Sequence, residues 1–113
     1  MTDDRPLFEL VAHEMPDGVL IQMSGELDLS SAGSTDIVLS YLGLPAQTLT
    51  LDLAGLGFCD SMGLQSLVRI RAAAVGAGWR FRVVNVQPHI RRIFDITGLT
   101  EHLNVIDGRP PPS

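Results

Sequence analysis

A chain of 113 residues supports one hydrophobic core and is too short for two ordinary domains. Its apolar content is 45%, and its formal net charge of −5 is opposite to the basic stripe that a nucleic-acid surface needs. All eight basic residues are Arg, which reads as coding preference, and the single cysteine excludes an internal disulfide framework and a Cys-rich zinc site.

The opening residues, MTDDRPLFEL, are acidic and lack a hydrophobic signal core. No apolar run approaches the ~20 residues of a membrane helix, so a cytoplasmic protein without a membrane segment is expected. Leu7 to Met15 reads as a strand with Phe8, Leu10 and Ala12 on one face. Pro16-Asp17-Gly18 is a turn, and Val19 to Met23 is a second, more apolar strand, so the chain opens on a β-hairpin. Gly25-Glu26-Leu27-Asp28 ends that strand. Ser30 or Ser31 can cap a helix to Leu42 with Ile37, Val38, Tyr41 and Leu42 as its buried stripe. Gly43 is its stop, and Pro45 prevents continuation.

Leu49, Leu51 and Leu53 alternate with Thr50 and Asp52, as in a strand with one buried face. Gly55 and Gly57 are expected to break this strand into a turn. A helix follows from about Ser61 to Val75, with Leu64, Leu67, Val68, Ala72 and Val75 at helical spacing. Gly76-Ala77-Gly78 ends it. Phe81 to Val86 is a strand. Pro88 suits the first turn of a third helix, whose apolar face is Ile90, Ile93, Phe94 and Thr97, and Gly98 stops it. Leu103 to Ile106 forms a short last strand. The single domain spans 1–107. The tail from Gly108 to Ser113, GRPPPS, suits neither helix nor ladder and is expected to be disordered.

The order ββαβαβαβ predicts an α/β fold: a mixed sheet of about four to five strands with helices on its faces. In such sheets, sites gather where strand C-termini meet helix N-termini. Two such corners exist, Gly25 to Ser31 with Asp28, and Gly57 to Leu64 with Cys59, Asp60, Ser61 and Met62. If their strands are parallel neighbours, Asp28, Asp60 and Ser61 share one surface. Asp60 and Ser61 are also the residue types that cap helices, and a cap alone accounts for them. Asp28 reads equally as a solvated turn residue, and Met62 as a loop residue packed inward.

Other chemistry finds little support. Cys59 lies near a helix start, where thiol pKa values can fall, but it has no neighbouring His or second Cys and reads as buried structure. His13, His89 and His102 lack metal-ligand spacing, so neither a metal nor a cofactor is expected. There is no G-x-S-x-G elbow and no P-loop. Arg69, Arg71, Arg91 and Arg92 read as solvated helix faces.

Three motifs in order resemble the landmarks of the STAS domain, named for sulfate transporters and anti-sigma factor antagonists. They are Gly25-Glu26-Leu27-Asp28, Phe58-Cys59-Asp60-Ser61-Met62-Gly63-Leu64 and Ile93-Phe94-Asp95-Ile96-Thr97-Gly98-Leu99. The resemblance covers about Leu7 to Ile106. It implies the STAS fold and, for a free-standing chain, an anti-sigma factor antagonist without catalytic activity. Such a protein binds a serine-kinase anti-sigma factor, and phosphorylation of a loop Ser or Thr breaks the complex. The resemblance places partner binding on Asp28, Cys59, Asp60, Ser61, Met62, Gly63 and Leu64. The family's phosphoacceptor stands directly before the Gly of Asp-Ser-Ser-Gly-Leu, and here that residue is Met62, which has no hydroxyl. Ser61 is the remaining phosphorylation candidate, ranked lower because a capping side chain would point its oxygen into the helix end. The resulting expectation is a partner-binding module without the usual switch. The alternative is a non-catalytic STAS scaffold subunit of a transport or stress-signalling complex. A third reading, an enzyme using Cys59 or Ser61, is much the weakest.

Overall fold

A computed structural model describes residues 7–28 and 30–106. Five strands form one sheet in the order β1-β2-β3-β4-β5: β1 Glu9–Met15, β2 Gly18–Leu27, β3 Thr48–Cys59, β4 Arg80–Val84 and β5 Val105–Ile106. The hairpin pairs β1 and β2 antiparallel in unbroken register, and every later pair is parallel. Between them come a 3-10 turn, Ala32–Thr35, and helices α1 Asp36–Tyr41, α2 Ser61–Gly76, α3 Pro88–Thr97 and α4 Leu99–His102. The expected ββαβαβαβ order is present, with α4 as an additional short helix. The tail expected to be disordered, 108–113, lies outside the described residues.

Spatial order equals chain order from β2 to β5, so the sheet grows in one direction. Right-handed crossovers between parallel strands then place all the connecting helices on one face. That face carries the core: Ile21, Met23, Leu49, Leu51, Leu53 and Val83 meet Val38, Leu67, Ile70, Ala74, Ile90 and Phe94, all buried. Phe8, Leu10 and Ala12 pack against its margin, as the alternation in β1 predicts. The opposite face carries Gln22, Asp52, Arg80 and Arg82, and Arg82 Nε donates to Thr50 Oγ1 at 2.8 Å.

β3 corrects the sequence reading most. Gly55 and Gly57 do not end it, and the strand runs through both to Cys59. The register with β2 shifts twice, and β3 takes two more residues than β2 between the Gln22–Asp52 and Leu27–Cys59 pairs. Such bulges lengthen one strand locally. They change the inward spacing from two to three, so Leu53, Leu56 and Cys59 all remain buried. Gly55 is needed at the first bulge, because a Cβ there would lie 2.7 Å from the Ser24 Cβ.

Helix boundaries differ where propensity met packing. The segment after Asp28 begins as a 3-10 turn, and α1 ends at Tyr41 with Leu42 as its cap, without a left-handed Gly43. In α1 Val38 is fully buried while Ile37 is 56% exposed. In α2 the buried stripe is Gly63, Ser66, Leu67, Ile70 and Ala74, with Val75 exposed. In α3 Ile90 and Phe94 are buried, but Ile93 and Thr97 face outward. Pro88 does open α3, and Gly98 closes it at φ 76°.

The bulge account separates two glycines that look alike in the sequence. Gly55→Ala should lower stability by about 1–3 kcal/mol through overpacking. Gly57, with nothing within 4 Å of its missing Cβ, should accept Ala with no loss. Urea denaturation midpoints of the two variants check this.

Candidate functional site

The last rung of the β2–β3 ladder is Leu27 opposite Cys59. Asp28 and Asp60 are the next residues on each strand, so the two sequence corners meet. Asp60 N donates to the Leu27 carbonyl at 3.2 Å, which ties the start of α2 to the end of β2. No loop intervenes between β3 and α2. Asp60 is the N-cap itself, with extended backbone, and its Oδ1 accepts from Gly63 N at 2.9 Å. This satisfies one of the otherwise unpaired N–H groups at the helix end.

The cap assignment changes the standing of Ser61. It is the first helical residue and is exposed, and no hydrogen bond to its hydroxyl is found among the described residues. Asp60 and not Ser61 caps the helix, so the expected turn of the Ser61 oxygen into the helix end is not observed. Met62 follows at 37% exposure, so it is not packed inward. Leu64 is half-buried against the core.

Gly63 and Cys59 lie beneath these side chains. A Cβ on Gly63 would stand 2.4 Å from the Leu27 carbonyl oxygen and 2.8 Å from Cys59 Sγ. Only glycine lets the first turn of α2 come this close to both strands. Burial, with a smaller contribution from the Asp60 carboxylate, pushes the Cys59 thiol up to about 12. Burial thus favours the protonated thiol over the reactive thiolate at neutral pH.

Asp28 is held by its own neighbours. Its Oδ1 accepts from Ser30 Oγ at 2.6 Å, Ser30 N at 3.0 Å and Ser31 N at 3.2 Å. Hydrogen bonding, from Ser30 above all, holds its carboxyl below the usual aspartate range. Ser31 makes no side-chain cap, contrary to expectation. Its Oγ accepts from Asp28 N at 2.8 Å and donates to the Glu26 carbonyl at 3.0 Å, which stitches the turn to the end of β2.

The structure adds residues that the sequence reading left aside. Beyond Asp52, β3 has no partner in β4. There Gln87 Nε2 donates to the Ala54 carbonyl at 2.8 Å and His89 Nε2 to the Gly57 carbonyl at 2.6 Å. The start of α3 thus braces the free side of the strand that carries the site. Phe58, 46% exposed, stands on this same stretch. A Gln-Pro-His sequence carries no periodic signal for such a role, and the bulges hide the outward direction of Phe58. Among the described residues no group of His, Cys, Asp and Glu is placed to hold a metal ion, and no helix is long and apolar enough to cross a membrane.

Residues 12–106 match the family model described as "Mlab, STAS domain". No curated protein sequence matches the chain. Among solved structures, an anti-sigma factor antagonist from Mycobacterium paratuberculosis is similar with a TM-score of 0.75 at 23% identity, covering 88% of this chain and 85% of that one. The Bacillus anti-sigma factor antagonist SpoIIAA in its unphosphorylated form gives 0.73 at 22% identity, covering 91% and 89%. The murine anion transporter Slc26a9 gives 0.68 at 17% identity, covering 90% of this chain and 21% of the transporter. At these identities the likeness is one of fold.

Two measurements check the site. Asp60→Ala should cost about 0.5–2 kcal/mol as a lost N-cap, read by thermal or urea denaturation. Cys59 should resist a thiol reagent at pH 8 in the folded chain and react at an ordinary rate once the chain is unfolded.

Proposed function

The chain belongs to the STAS domain family, and from that premise we propose that it is a non-catalytic, cytoplasmic binding module of the anti-sigma factor antagonist type. Its partner is an anti-sigma factor of the serine-kinase class, and the contact surface is the junction where β2 and β3 meet α2. Asp28, Asp60, Ser61, Met62 and Leu64 form that surface. Cys59 and Gly63 shape it from beneath.

The single observation that carries this reading is the exposure of Met62 and Ser61 on a rigidly capped helix start. A phosphate adds roughly −1.5 to −2 charges at pH 7. Beside Asp60 in a contact surface, that charge would meet a like charge and resist desolvation. Met62 accepts no phosphate, and its flexible apolar side chain suits a protein contact. The surface is therefore binding-competent without a switch at the family's usual position. Ser61 is the one hydroxyl left between Asp60 and Leu64.

The second reading, a scaffold subunit of a transport or stress-signalling complex, is favoured by the likeness to a domain of an anion transporter. The two readings differ in what the chain holds in its host.

The test is capture of partners from host lysate with and without ATP, followed by mass spectrometry of the partner and of the peptide containing Ser61. A serine-kinase partner retained in ATP, with Ser61 unmodified, is the expected result. Release in ATP with phosphate on Ser61 would overturn the switchless part. A transporter or other assembly without such a kinase would overturn the sigma-factor reading. With the serine-kinase partner in hand, Met62→Ser should gain phosphate on that residue from the kinase, and Met62→Glu should weaken the complex at least roughly tenfold, as a buried like charge would.

A further inference from the structure

The two edges of the sheet are unlike. Among the described residues β5 is two residues long, and short edge strands are self-protecting. β1 is seven residues long, without proline or lysine, and its register with β2 has no bulge. Among the described residues it therefore presents an intact row of backbone groups without a strand partner. Three large apolar side chains line this edge at intervals of four: Leu7 at 81% exposure, Val11 at 48% and Met15 at 46%.

The hairpin fixes which backbone groups are free. Its two-residue turn closes on Met15 opposite Gly18. That pair, and every second pair after it, exchanges hydrogen bonds within the hairpin. The N–H and C=O groups of Leu10, Ala12 and Glu14 therefore point away from β2.

We propose that this edge pairs with the same edge of a second copy of the chain, antiparallel, with Val11 on the two-fold axis. The sheet then runs unbroken through both copies. In this register Leu10 and Ala12 exchange backbone hydrogen bonds across the axis, using groups that are otherwise unpaired. On the exposed face Val11 meets Val11, Glu9 meets His13, and Leu7 meets Met15. These are the pairs without mutual hydrogen bonds, in which side chains approach most closely. Apolar residues meet apolar ones and a carboxylate meets an imidazole, so the edge is complementary to itself as a two-fold contact requires. A shift of two residues would set Glu9 against Met15 and lose both matches. The candidate partner site lies past the last rung of β2 and β3, beyond the N-terminal end of β1, so a dimer leaves it open.

The full chain tests this by sedimentation velocity from about 1 μM to about 1 mM. A reversible monomer–dimer equilibrium is expected, and a monomer throughout overturns the proposal. Val11→Lys sets two like charges opposite each other and should raise the dissociation constant at least roughly fivefold. A dimer indifferent to it overturns the proposal. Register is tested by cysteine crosslinking, with the parent chain, whose one cysteine is the buried Cys59, as the control. Val11→Cys places two thiols across a pair about 4.5 Å apart at Cα, within disulfide reach, and should crosslink rapidly under mild oxidation. His13→Cys should not. Crosslinking at 13 but not at 11 overturns the proposed register.

Discussion

The structure depends on the close packing of the first turn of α2 against the last rung of β2 and β3. Gly63 stands where any side chain would strike the Leu27 carbonyl and the Cys59 sulfur. Because the helix is that close, the Asp60 amide reaches Leu27 and the Asp60 carboxylate caps its own helix. The two bulges of β3 serve the same junction. They turn Leu53, Leu56 and Cys59 inward in succession, so the strand reaches the helix with its core face still buried. The exposure of Ser61 and Met62 follows from this geometry, since the residues on either side of them, Asp60 and Gly63, are committed to the cap and the packing.

Much of this was legible in the sequence, and the failures share a cause. Alternation found β1, the first half of β3 and β4, and proline and glycine placed the ends of α3. Parallel pairing of neighbouring strands brought Asp28 beside Asp60, as the two-corner argument anticipates. Gly55 and Gly57 misled because a glycine in an apolar run signals either a turn or a bulge, and only the pairing strand decides which. The cap misled in the same way. Asp60 and Ser61 both suit an N-cap, and the choice rests on which backbone is extended. The buried stripes of α1 and α2 were legible in part: Val38 and Leu67 are buried as expected, whereas Ile37 and Val75 are exposed and Ile70 and Ala74, which the spacing did not single out, are buried.

The same topology separates what the molecule buries from what it shows. One-directional growth of the sheet gathers the helices on one face, and among the described residues nothing covers the β1 edge or the opposite sheet face. The site at the strand ends and the edge of β1 are thus different surfaces. One is rigid, capped and partly charged; the other is a run of backbone groups with apolar side chains at regular intervals. The two proposed contacts, with a partner protein and with a second copy of the chain, therefore use different surfaces.

Amide hydrogen exchange on the full chain, free and bound to the partner that the proposed capture experiment yields, tests the central claim most directly. The account predicts slower exchange at Asp28 to Ser31 and Ser61 to Leu64 in the complex, with the far end of the sheet unchanged. Protection confined to α3, α4 or the open sheet face, with the start of α2 unaffected, would contradict it.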